Sequence, residues 1–577
     1  MGSISDDSHA PAAGASPQQK GYARHPLHER YQRPLHVILI GAGPSGIAML
    51  IALKRLPHVT FHCFEKNHQV GGTWLENRYP GAACDVASHA YQYTFESKKD
   101  WTRHFAPAEE IGEYFISVAE KHELHRHISF NSRVIKTNWQ EKPGKWTVHV
   151  CGDSGIVEQH DGDILINASG ILNDWKWPDI KGLNTFKGHL VHTAAWDSSL
   201  DFTGKTVAVI GSGASSIQVV PKLQPAVKRL EVFVRSPTYI LPTVGFGIES
   251  ATYNQTYTQE QIDQFTQDPE YYRDFRKRIE QQMNENFAGS IKSSKEQAKG
   301  RLWAEDMMRK AIKSPELQDK LIPSWELGCR RVTPGKPYLE AVQEPNVDVV
   351  REGISRIAAD GLITEDGVMH DVDVIVCATG FDTSRGPESY LGIATAGLPN
   401  HFTFLGPNCP IANGSLVPCI ESRSVRLPEP ACGALTTFFQ ILTARANSVK
   451  YISQVLVKMQ KDQIKSVNVK QAMQDAFNEY TQSVHQDLVW TGSCQSWYKD
   501  RATGRVVAVW PGSSIHYMDM IETPRWEDYE IQYMHSNPFF FMGNGTSQRE
   551  ARGEDLTFCK LRKIVFSTWC VVFLADA

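Results

Sequence analysis

Two glycine-rich turns constrain the fold of this chain more than any other feature. Each turn follows a strand-like apolar run and precedes a run with helical spacing. The first spans residues 41–46 with the sequence GAGPSG, and the second spans residues 211–216 with the sequence GSGASS. In a dinucleotide-binding fold, such glycines permit a tight turn and let the backbone approach a pyrophosphate at the positive end of a helix. The repetition predicts that one fold unit is used twice.

The charged residue that follows each unit differs in sign. Glu65 and Arg235 lie at the same offset from the first glycine of their turns, at the end of the second apolar run. A carboxylate there accepts hydrogen bonds from a free ribose hydroxyl, whereas an arginine attracts a 2′-phosphate. Two nucleotides of different kinds are therefore predicted, and FAD with NADPH is the simplest such pair.

The nucleotide-contacting residues predicted from the two turns are small or backbone-donating. In the first turn they are Gly41, Gly43, Ser45 and Gly46; in the second turn they are Gly211, Ser212, Gly213, Ala214, Ser215, Ser216 and the following Ile217. Ser216 replaces the last glycine of the pattern, and a serine still leaves room for close packing of helix on strand.

The composition argues against several other classes of protein. The 577 residues suggest roughly three or four domain-sized units. A formal net charge of −4 gives no sign of nucleic-acid binding, and no zinc-type Cys/His cluster suggests a metal site. The eleven cysteines have no C-x-x-C or C-x-x-x-x-C spacing, which argues against a disulfide framework and against a flavin-dependent disulfide reductase. A reducing, cytoplasmic compartment is expected, and no apolar run is long enough to span a bilayer.

Three segments lie outside the repeated units. Residues 1–33 are polar, are expected to be disordered, and lack the apolar core of a signal peptide. The charged, helix-like stretch from about 253 to 320 is expected to be a helical insertion, either over the active site or solvated on the surface. The apolar tail Ile564–Ala575 is expected to be a docked terminal element.

Two longer motifs connect the chain to a known family. Residues 71–85, GGTWLENRYPGAACD, fit the pattern G-G-x-W-x-x-x-x-Y-P-G-x-x-x-D, and residues 186–197, FKGHLVHTAAWD, fit F-x-G-x-x-x-H-x-x-x-W-[PD]. Together they resemble the signatures of type I Baeyer–Villiger monooxygenases. The resemblance covers nearly all of residues 35–550, and the sequence around Arg331 is similar to the fungal secondary-metabolite branch of that family.

The resemblance implies an α/β flavoprotein with two Rossmann-like dinucleotide-binding domains, one for FAD and one for NADPH, and a helical insertion. The FAD domain is expected in two parts, residues 34–175 and 366–577, which flank an NADPH domain at residues 176–365. The implied reaction is the NADPH- and O2-dependent conversion of a ketone to an ester or lactone through a C4a-peroxyflavin. The implied ketone is bulky and belongs to secondary metabolism.

The same resemblance assigns roles to residues. Arg331 is implied to be the permanent cation that stabilises the reacting peroxide and its anionic adduct, with Asp85 holding it in place. Arg330 is implied to join Arg235 and Ser236 at the 2′-phosphate. His192 is expected in the linker between the domains, with a role in coupling them. The other implied cofactor contacts are Thr73, Trp74, Glu76 and Tyr91 along the flavin, Val134 at its adenine, Trp497 on the nicotinamide side, and Leu75, Ala83 and Cys84 nearby.

Two alternatives stay open. Flavin monooxygenases that oxidise nitrogen or sulfur share much of this plan, although they usually carry Tyr or Phe at the position of Trp196. A non-catalytic nucleotide-binding scaffold is the other alternative, and the presence of Asp85 and Arg331 argues against it.

Overall fold

The computed structural model describes residues 33–241, 253–383, 388–412, 414–420 and 448–557. The first 32 residues and the apolar tail Ile564–Ala575 lie outside these ranges. Arg33 was expected to belong to the disordered extension. It is instead buried, and its guanidinium lies 3.7 Å from the carboxylate of Asp163. The expectation of disorder is therefore wrong at residue 33.

Five parallel strands form the first sheet around the first glycine turn. In spatial order they are β18 (His401–Thr403), β7 (Ile164–Asn167), β1 (Leu35–Ile40), β2 (Val59–Phe64) and β3 (Ile128–Ser129). The central strands β1 and β2 pair in register, with Leu35 opposite Val59 and Ile40 opposite Phe64. β1 is buried nearly throughout, as expected for a parallel strand covered on both faces.

Helices cover one face of this sheet and a small antiparallel sheet covers the other. The helical face carries α1 (Pro44–Leu53), α3 (Ala108–Lys121) and α11 (Ser448–Lys461). The opposite face carries β4 (Arg133–Gln140), β5 (Lys145–Cys151) and β6 (Val157–Gly162). Alternate residues of β1 explain this layering, because Val37 and Leu39 pack on the helices whereas Ile38 packs on Trp146 and Val148 of β5.

The second sheet repeats this plan. In spatial order its parallel strands are β13 (Val347–Val350), β10 (Arg229–Phe233), β9 (Thr206–Ile210), β17 (Val374–Cys377) and β8 (His189–His192). One face carries α4 (Ala214–Leu223) and α9 (Lys336–Ala341), and the other carries the antiparallel strands β14 (Ile354–Ala358), β15 (Gly361–Thr364) and β16 (Met369–Asp371). The prediction of two Rossmann-like units in an α/β protein is confirmed.

The predicted boundary between residues 365 and 366 needs correction. β17 lies between β9 and β8 in the second sheet, so the second unit extends at least to Cys377. The chain then returns to the first sheet at β18, beside β7. The sequence shows only a buried strand at 372–377, and its pattern does not tell which of two similar sheets it joins.

The predicted helical insertion consists of α5 (Gln259–Gln267), α6 (Pro269–Asn284), α7 (Lys295–Ala311) and α8 (Pro315–Leu321). Each of these helices begins where a side-chain oxygen accepts a hydrogen bond from the first turn, at Thr258, Asp268, Ser294 and Ser314 respectively. The insertion contacts both units. Tyr272 of α6 packs on the buried His89 of the first unit, and Ala304 and Met308 of α7 belong to the core of the second.

The remaining elements are short or follow β18. They are α2 (Thr73–Glu76), α10 (Leu416–Ile420), α12 (Gln471–His485), α13 (Ser514–Met520), α14 (Gln548–Arg552), the parallel pair β11 (Ile240–Leu241) and β12 (Thr333–Pro334), and the antiparallel pair β19 (Ile464–Val469) and β20 (Tyr529–Tyr533). Across the described ranges, none of the helices combines the length and apolar character needed to cross a membrane.

Candidate active site

The first glycine turn lies at the carboxyl end of β1 and leads directly into α1. Gly41 has φ +97°, and a Cβ at this position would lie 2.8 Å from the carbonyl oxygen of Ala168, so the turn requires glycine. A Cβ at Gly46 would lie 2.0 Å from the oxygen of Gly41. Gly43 caps α1 without a side-chain acceptor, and Ser45 lies in the first helical turn. The N–H groups in the first turn of α1 receive no side-chain cap and are therefore available to a phosphate.

Glu65 lies directly after β2, and its carboxylate closes the first turn. Its Oε2 accepts a hydrogen bond of 2.7 Å from the N–H of Ala42, and its Oε1 accepts one of 2.9 Å from the N–H of Asn67. Burial raises the pKa of Glu65, and the two backbone hydrogen bonds oppose that rise. The N–H of Ser132 donates to the carbonyl oxygen of Glu65 just before β4, the strand that carries Val134. The predicted ribose and adenine contacts therefore share one edge of the sheet.

The residues predicted to contact the flavin lie in one stretch, which we call the flavin segment (residues 73–91). It begins with Thr73–Glu76, the four residues of α2. The indole N–H of Trp74 donates to the hydroxyl of Tyr91 at 3.3 Å, and the two rings meet edge to face. Burial raises the pKa of Tyr91 and keeps its hydroxyl neutral. Glu76 forms an ion pair with Lys66 at 2.9 Å and accepts a hydrogen bond of 2.8 Å from the side chain of Asn67, and both partners follow Glu65 in the chain. The flavin segment is thereby joined to the ribose edge.

The second turn repeats the geometry of the first. Gly211 has φ +130°, and a Cβ there would lie 2.3 Å from the carbonyl oxygen of Ala378. Gly213 caps α4, again without a side-chain acceptor, and Ala214 and Ser215 are the first residues of the helix. Ser216 and the following Ile217 are buried. A serine in the last glycine position is therefore compatible with close packing of α4 on the sheet, and the cradle fits a second pyrophosphate.

A group of cations lies beside the second turn. The hydroxyl of Ser212 donates to the carbonyl oxygen of Ser236 at 2.7 Å, and Nη1 of Arg330 donates to the carbonyls of Ser236 and Pro237 at 3.2 and 3.3 Å. Burial and the nearby charge of Arg235 lower the pKa of Arg330. Within the described ranges, neither arginine forms an ion pair with an acidic side chain. Two like charges held together in this way fit the 2′-phosphate of NADPH.

Asp85 and Arg331 bring the two units together. Nε and Nη2 of Arg331 each donate a hydrogen bond of 2.6 Å to the carboxylate of Asp85, and Nη1 makes a 3.4 Å contact with the carbonyl oxygen of Ile411. Burial favours the neutral form of Asp85, but the charge and hydrogen bonds of Arg331 outweigh burial and lower its pKa. Asp85 in turn raises the pKa of Arg331. The Arg331 side chain stays 38% exposed, so it remains open to a reacting group.

A residue that the sequence reasoning missed connects α4 with the flavin segment. Nε2 of Gln218 donates to the carbonyl oxygen of Ala83 at 2.9 Å, and the hydroxyl of Tyr79 donates to Oε1 of Gln218 at 2.7 Å. A Cβ at Gly81 would lie 2.5 Å from the Gln218 carbonyl oxygen, so this close approach requires glycine. Tyr79 and Gly81 belong to the Y-P-G motif, but no pattern in the sequence singles out Gln218. Cys84, next to Ala83, is buried.

Tyr498 was also missed. It is 2% exposed, and burial raises its pKa while the neighbouring charge of Arg331 opposes that rise. Trp497 is partly buried and packs edge to face on Tyr498, with ring centroids 5.0 Å apart. Tyr498 directly follows Trp497 in the sequence, so the implied role of Trp497 could have drawn attention to it.

His192 lies at the end of β8, where the connections between the two units pass. Its ring stacks on Trp175 with centroids 4.7 Å apart, its Nδ1 accepts from the N–H of Ala194, and its Nε2 therefore donates to Thr379. Burial lowers the pKa of His192 to about 4. Its contacts are with both connecting segments, not with Asp85 or Arg331, and they agree with a coupling role.

Cys329 and Cys494 form a disulfide. The cysteine spacing gave no sign of this bond, because its two partners are separated by 165 residues. The cysteine spacing argues against a disulfide framework, but the structure nevertheless contains this one disulfide between two distant cysteines. Six other cysteines of the described chain carry free thiols.

A cavity of about 940 Å³ lies between the flavin segment and α4. Its walls include Trp74, Phe105 and Ile116 from the first unit and Pro334 from the second, with Tyr253 from the insertion. Cys84 also lines it. Cys84 directly precedes Asp85 in the chain, and Pro334 follows Arg331 by three residues, so sequence neighbours of both members of the pair line the cavity.

The fold and the site define a class of protein with two dinucleotide sites. The first site, with the buried carboxylate of Glu65, fits FAD, and the second, with Arg235 and Arg330, fits NADPH. The comparisons with known proteins agree. Residues 35–309 match the model of the flavin-binding monooxygenase-like family.

Two relatives match nearly the whole chain. The FAD-binding monooxygenase stcW of Emericella nidulans is 37% identical over 573 residues, covering 94% of this chain and 90% of the relative. A Baeyer–Villiger monooxygenase of Pseudomonas aeruginosa is 31% identical over 539 residues, covering 90% of this chain and 94% of the relative. The chain therefore belongs to the family of flavin-binding monooxygenases that includes the Baeyer–Villiger enzymes.

A solved structure agrees with this family. The cyclohexanone monooxygenase of Rhodococcus sp. Phi1, solved with NADP+ bound, superposes with a TM-score of 0.70 at 27% identity. The match covers 87% of this chain and all of that one. The predicted family and fold class are thereby confirmed.

Proposed function

We propose that this chain is an FAD-containing, NADPH- and O2-dependent Baeyer–Villiger monooxygenase that converts a bulky ketone to an ester or lactone. The observation that carries the proposal is the pair formed by Asp85 and Arg331, with two hydrogen bonds of 2.6 Å. This pair joins the flavin segment, which contains Asp85, to the part of the chain that contains Arg330 and Arg331. A plain flavin reductase needs both nucleotide sites but has no use for an oriented, partly exposed cation between them.

Bound FAD, once reduced by NADPH, supplies the activation of O2. The protein supplies position and charge. Arg331 keeps its positive charge at any relevant pH and stabilises negative charge that develops on oxygen during attack on the ketone carbonyl. Asp85 fixes the plane of the guanidinium through Nε and Nη2. Nη1 is the nitrogen that Asp85 does not engage and that makes a 3.4 Å contact with Ile411, so it is the donor we assign to the reacting oxygen.

Hydride delivery requires that NADPH be held against the flavin. Arg235 and Arg330 bind its 2′-phosphate, and the first turn of α4 binds its pyrophosphate. Gln218 holds α4 on the flavin segment through Tyr79 and Ala83, so the two segments that would hold NADPH and FAD are fixed to each other. Trp497, which packs on Tyr498, would contact the nicotinamide side.

The cavity beside the flavin segment supports a bulky ketone as substrate. Its volume of about 940 Å³ lies in the range of sites that enclose a drug-sized molecule. Trp74 and Phe105 supply apolar wall, whereas Arg78 and Lys222 supply charged wall. The cavity therefore fits a ketone that carries both apolar and polar groups. The relative stcW is an FAD-binding monooxygenase of Emericella nidulans, and a ketone of fungal secondary metabolism is the substrate class that belongs to this proposal.

A cytoplasmic location is part of the same proposal. It rests on eleven cysteines without the spacing of a disulfide framework. The disulfide between Cys329 and Cys494 is compatible with this location, because both sulfurs are buried and the thiols of a reducing compartment cannot reach them.

The proposal is tested with purified protein loaded with FAD, NADPH and a panel of bulky ketones under ¹⁸O2. We expect yellow protein, NADPH oxidation, and a product heavier than the ketone by one labelled oxygen. Sulfoxides from thioethers without any ester from ketones would instead identify a sulfur-oxygenating enzyme. Colourless protein that does not oxidise NADPH after addition of FAD would identify a non-catalytic scaffold.

A further inference from the structure

The disulfide lies directly beside the arginines of the site. Cys329 immediately precedes Arg330 and Arg331, and Cys494 lies three residues before Trp497. We call residues 326–331 the arginine segment and residues 489–499 the C-terminal loop. The arginine segment belongs to the chain that connects the insertion to the second unit, whereas the C-terminal loop follows the return of the chain to the first sheet. The bond therefore joins the connection into the second unit to a part of the chain that follows the last strand of the first sheet.

The two segments are in close contact around the bond. A Cβ at Gly492 would lie 2.3 Å from Oε2 of Glu326 and 3.1 Å from the sulfur of Cys329. Lys499 donates to the carbonyl oxygen of Gly492 at 2.6 Å. Burial lowers the pKa of Lys499, and the charge of Glu326 opposes this effect. Gly328, with φ +87°, turns the chain just before Cys329. The contact is tight enough to fix the backbone from which Arg330 and Arg331 project.

The positive charges of Arg235 and Arg330 repel each other, and a fixed backbone opposes that repulsion. The guanidinium groups of Arg235 and Arg330 lie close enough for the charge of one to act on the other. Arg331, the next residue, pairs with the carboxylate of Asp85. Before the 2′-phosphate arrives, repulsion between Arg235 and Arg330 favours their separation. A covalent bond at the residue preceding Arg330 opposes that separation.

We propose that the Cys329–Cys494 disulfide is a positioning device for the reaction. It holds the arginine segment on the C-terminal loop, so that Arg330 stays at the 2′-phosphate site and Arg331 stays on Asp85. Cys329 and Cys494 are positioning residues, because they act through the arginines. The bond forms when the two thiols lose two electrons and two protons to a small-molecule disulfide such as oxidised glutathione, which becomes two thiols. The inference rests on the proposed function.

The burial of its two sulfur atoms shows whether this disulfide can exchange with other thiols or stays in place. Cys329 is 0% exposed and Cys494 is 2% exposed. A thiolate must reach a sulfur atom directly to exchange, and neither sulfur is accessible here. The bond therefore acts as a standing constraint in the folded enzyme.

The test compares FAD-loaded wild type with the double variant Cys329→Ser/Cys494→Ser. The control is Cys151→Ser, which removes a half-buried free thiol on β5. Peptide mapping without reductant first shows whether wild type contains the bond. We expect the KM for NADPH to rise about fivefold to tenfold in the double variant, because Arg330 would lose part of its charge-assisted contact with the 2′-phosphate. The KM for NADH, which lacks the 2′-phosphate, should change less than twofold.

A second readout concerns Arg331. The double variant should consume more NADPH per molecule of product and release the excess as hydrogen peroxide, while flavin reduction at saturating NADPH keeps its rate. Unchanged KM values and coupling with only a lower unfolding temperature would show a purely stabilising cross-link and overturn the proposal. Free thiols at both positions in wild type would overturn it as well.

Two further measurements keep the test decisive. If the double variant does not fold, wild type is partly opened with mild denaturant and reduced with a phosphine. The bond then becomes two thiols while the phosphine takes up oxygen from water as its oxide. Refolded reduced enzyme should show the raised KM for NADPH, and reoxidation by oxidised glutathione should return the KM to its original value. No change on either step would contradict the proposal.

Failure of the Baeyer–Villiger assignment is recognised separately, as absence of ester from wild type, because the kinetics with NADPH and NADH need no ketone.

Discussion

The side chains of Asp85 and Arg331 are 246 residues apart in the chain and meet through two hydrogen bonds of 2.6 Å. Asp85 belongs to the flavin segment, and Arg331 directly follows Arg330, the arginine that we propose binds the 2′-phosphate. Any movement of the second unit against the first must carry this pair along or break it. The pair is therefore both a structural connection and the centre of the proposed chemistry.

Removal of the Arg331 cation should separate the two half-reactions. In Arg331→Ala we expect flavin reduction by NADPH to continue, while ketone oxygenation falls about 10²–10³-fold, since one preorganised donor to a developing oxyanion is lost. Arg331→Lys should be intermediate, because it keeps the charge but not the two-point contact with Asp85. Stopped-flow absorbance measures flavin reduction and mass spectrometry measures the product. Normal ester formation by Arg331→Ala would contradict the assigned role.

The parts of this site that are local in sequence could be predicted from it. Each glycine turn and its charged residue, Glu65 or Arg235, lie within a single strand–helix–strand unit. Because these residues are close in sequence, their spacing alone predicts the nucleotide that the unit binds. The pairing of Asp85 with Arg331 came from family resemblance, because no periodicity connects two such distant positions.

Contacts between units could not be predicted. The bonds of Gln218 to Tyr79 and Ala83 depend on how α4 is placed against the flavin segment, and a glutamine on a helix carries no signal of such a partner. The same holds for Cys329 and Cys494. The misplaced boundary at 365 has a related cause: two sheets of the same type accept the same kind of buried strand.

The opposite charges of Glu65 and Arg235 predict separable effects of their removal. Glu65→Ala should weaken FAD binding about 10-fold to 100-fold, because a charged acceptor for ribose hydroxyls is lost, and should leave the KM for NADPH nearly unchanged. Arg235→Ala should raise the KM for NADPH by a similar factor and that for NADH far less. Flavin content after dialysis and steady-state kinetics with both coenzymes measure these effects. Equal changes for NADPH and NADH in Arg235→Ala would remove the 2′-phosphate argument.

Narrowing the cavity should discriminate between substrates by size. Ile116 lines the cavity from α3 and is half-buried. The substitution Ile116→Trp should raise the KM for a bulky ketone about 10-fold or more, since a clash in a closed site typically costs 1–3 kcal/mol, while a small cyclic ketone is affected less than threefold. Flavin content serves as the folding control. An equal rise for both ketones would show that the cavity is not where the ketone binds.

Buried histidines should make the protein unstable in mild acid. Burial lowers the pKa of His192, His401 and His485 to about 4 each, whereas an unfolded chain protonates histidine near 6.5. Between these values the unfolded state binds more protons, so the free energy of unfolding falls as pH decreases from about 6.5 toward 4. Each group should cost about 1–2 kcal/mol at pH 5.5. The lowered pKa of Asp85 acts below this window, because its stabilising effect is lost only as that carboxylate becomes protonated.

His485 offers the sharpest test of this pH dependence, because it is fully buried and lies away from the nucleotide turns. Its Nε2 bonds to the carbonyl oxygen of Val509, and a glutamine at this position can donate the same hydrogen bond without titrating. His485→Gln should therefore lose less unfolding temperature than wild type between pH 7.5 and 5.5. His189 is exposed on β8, so His189→Gln should follow wild type. Calorimetric scans at both pH values measure the difference, and identical pH sensitivity of all three proteins would show that His485 is not held neutral by burial.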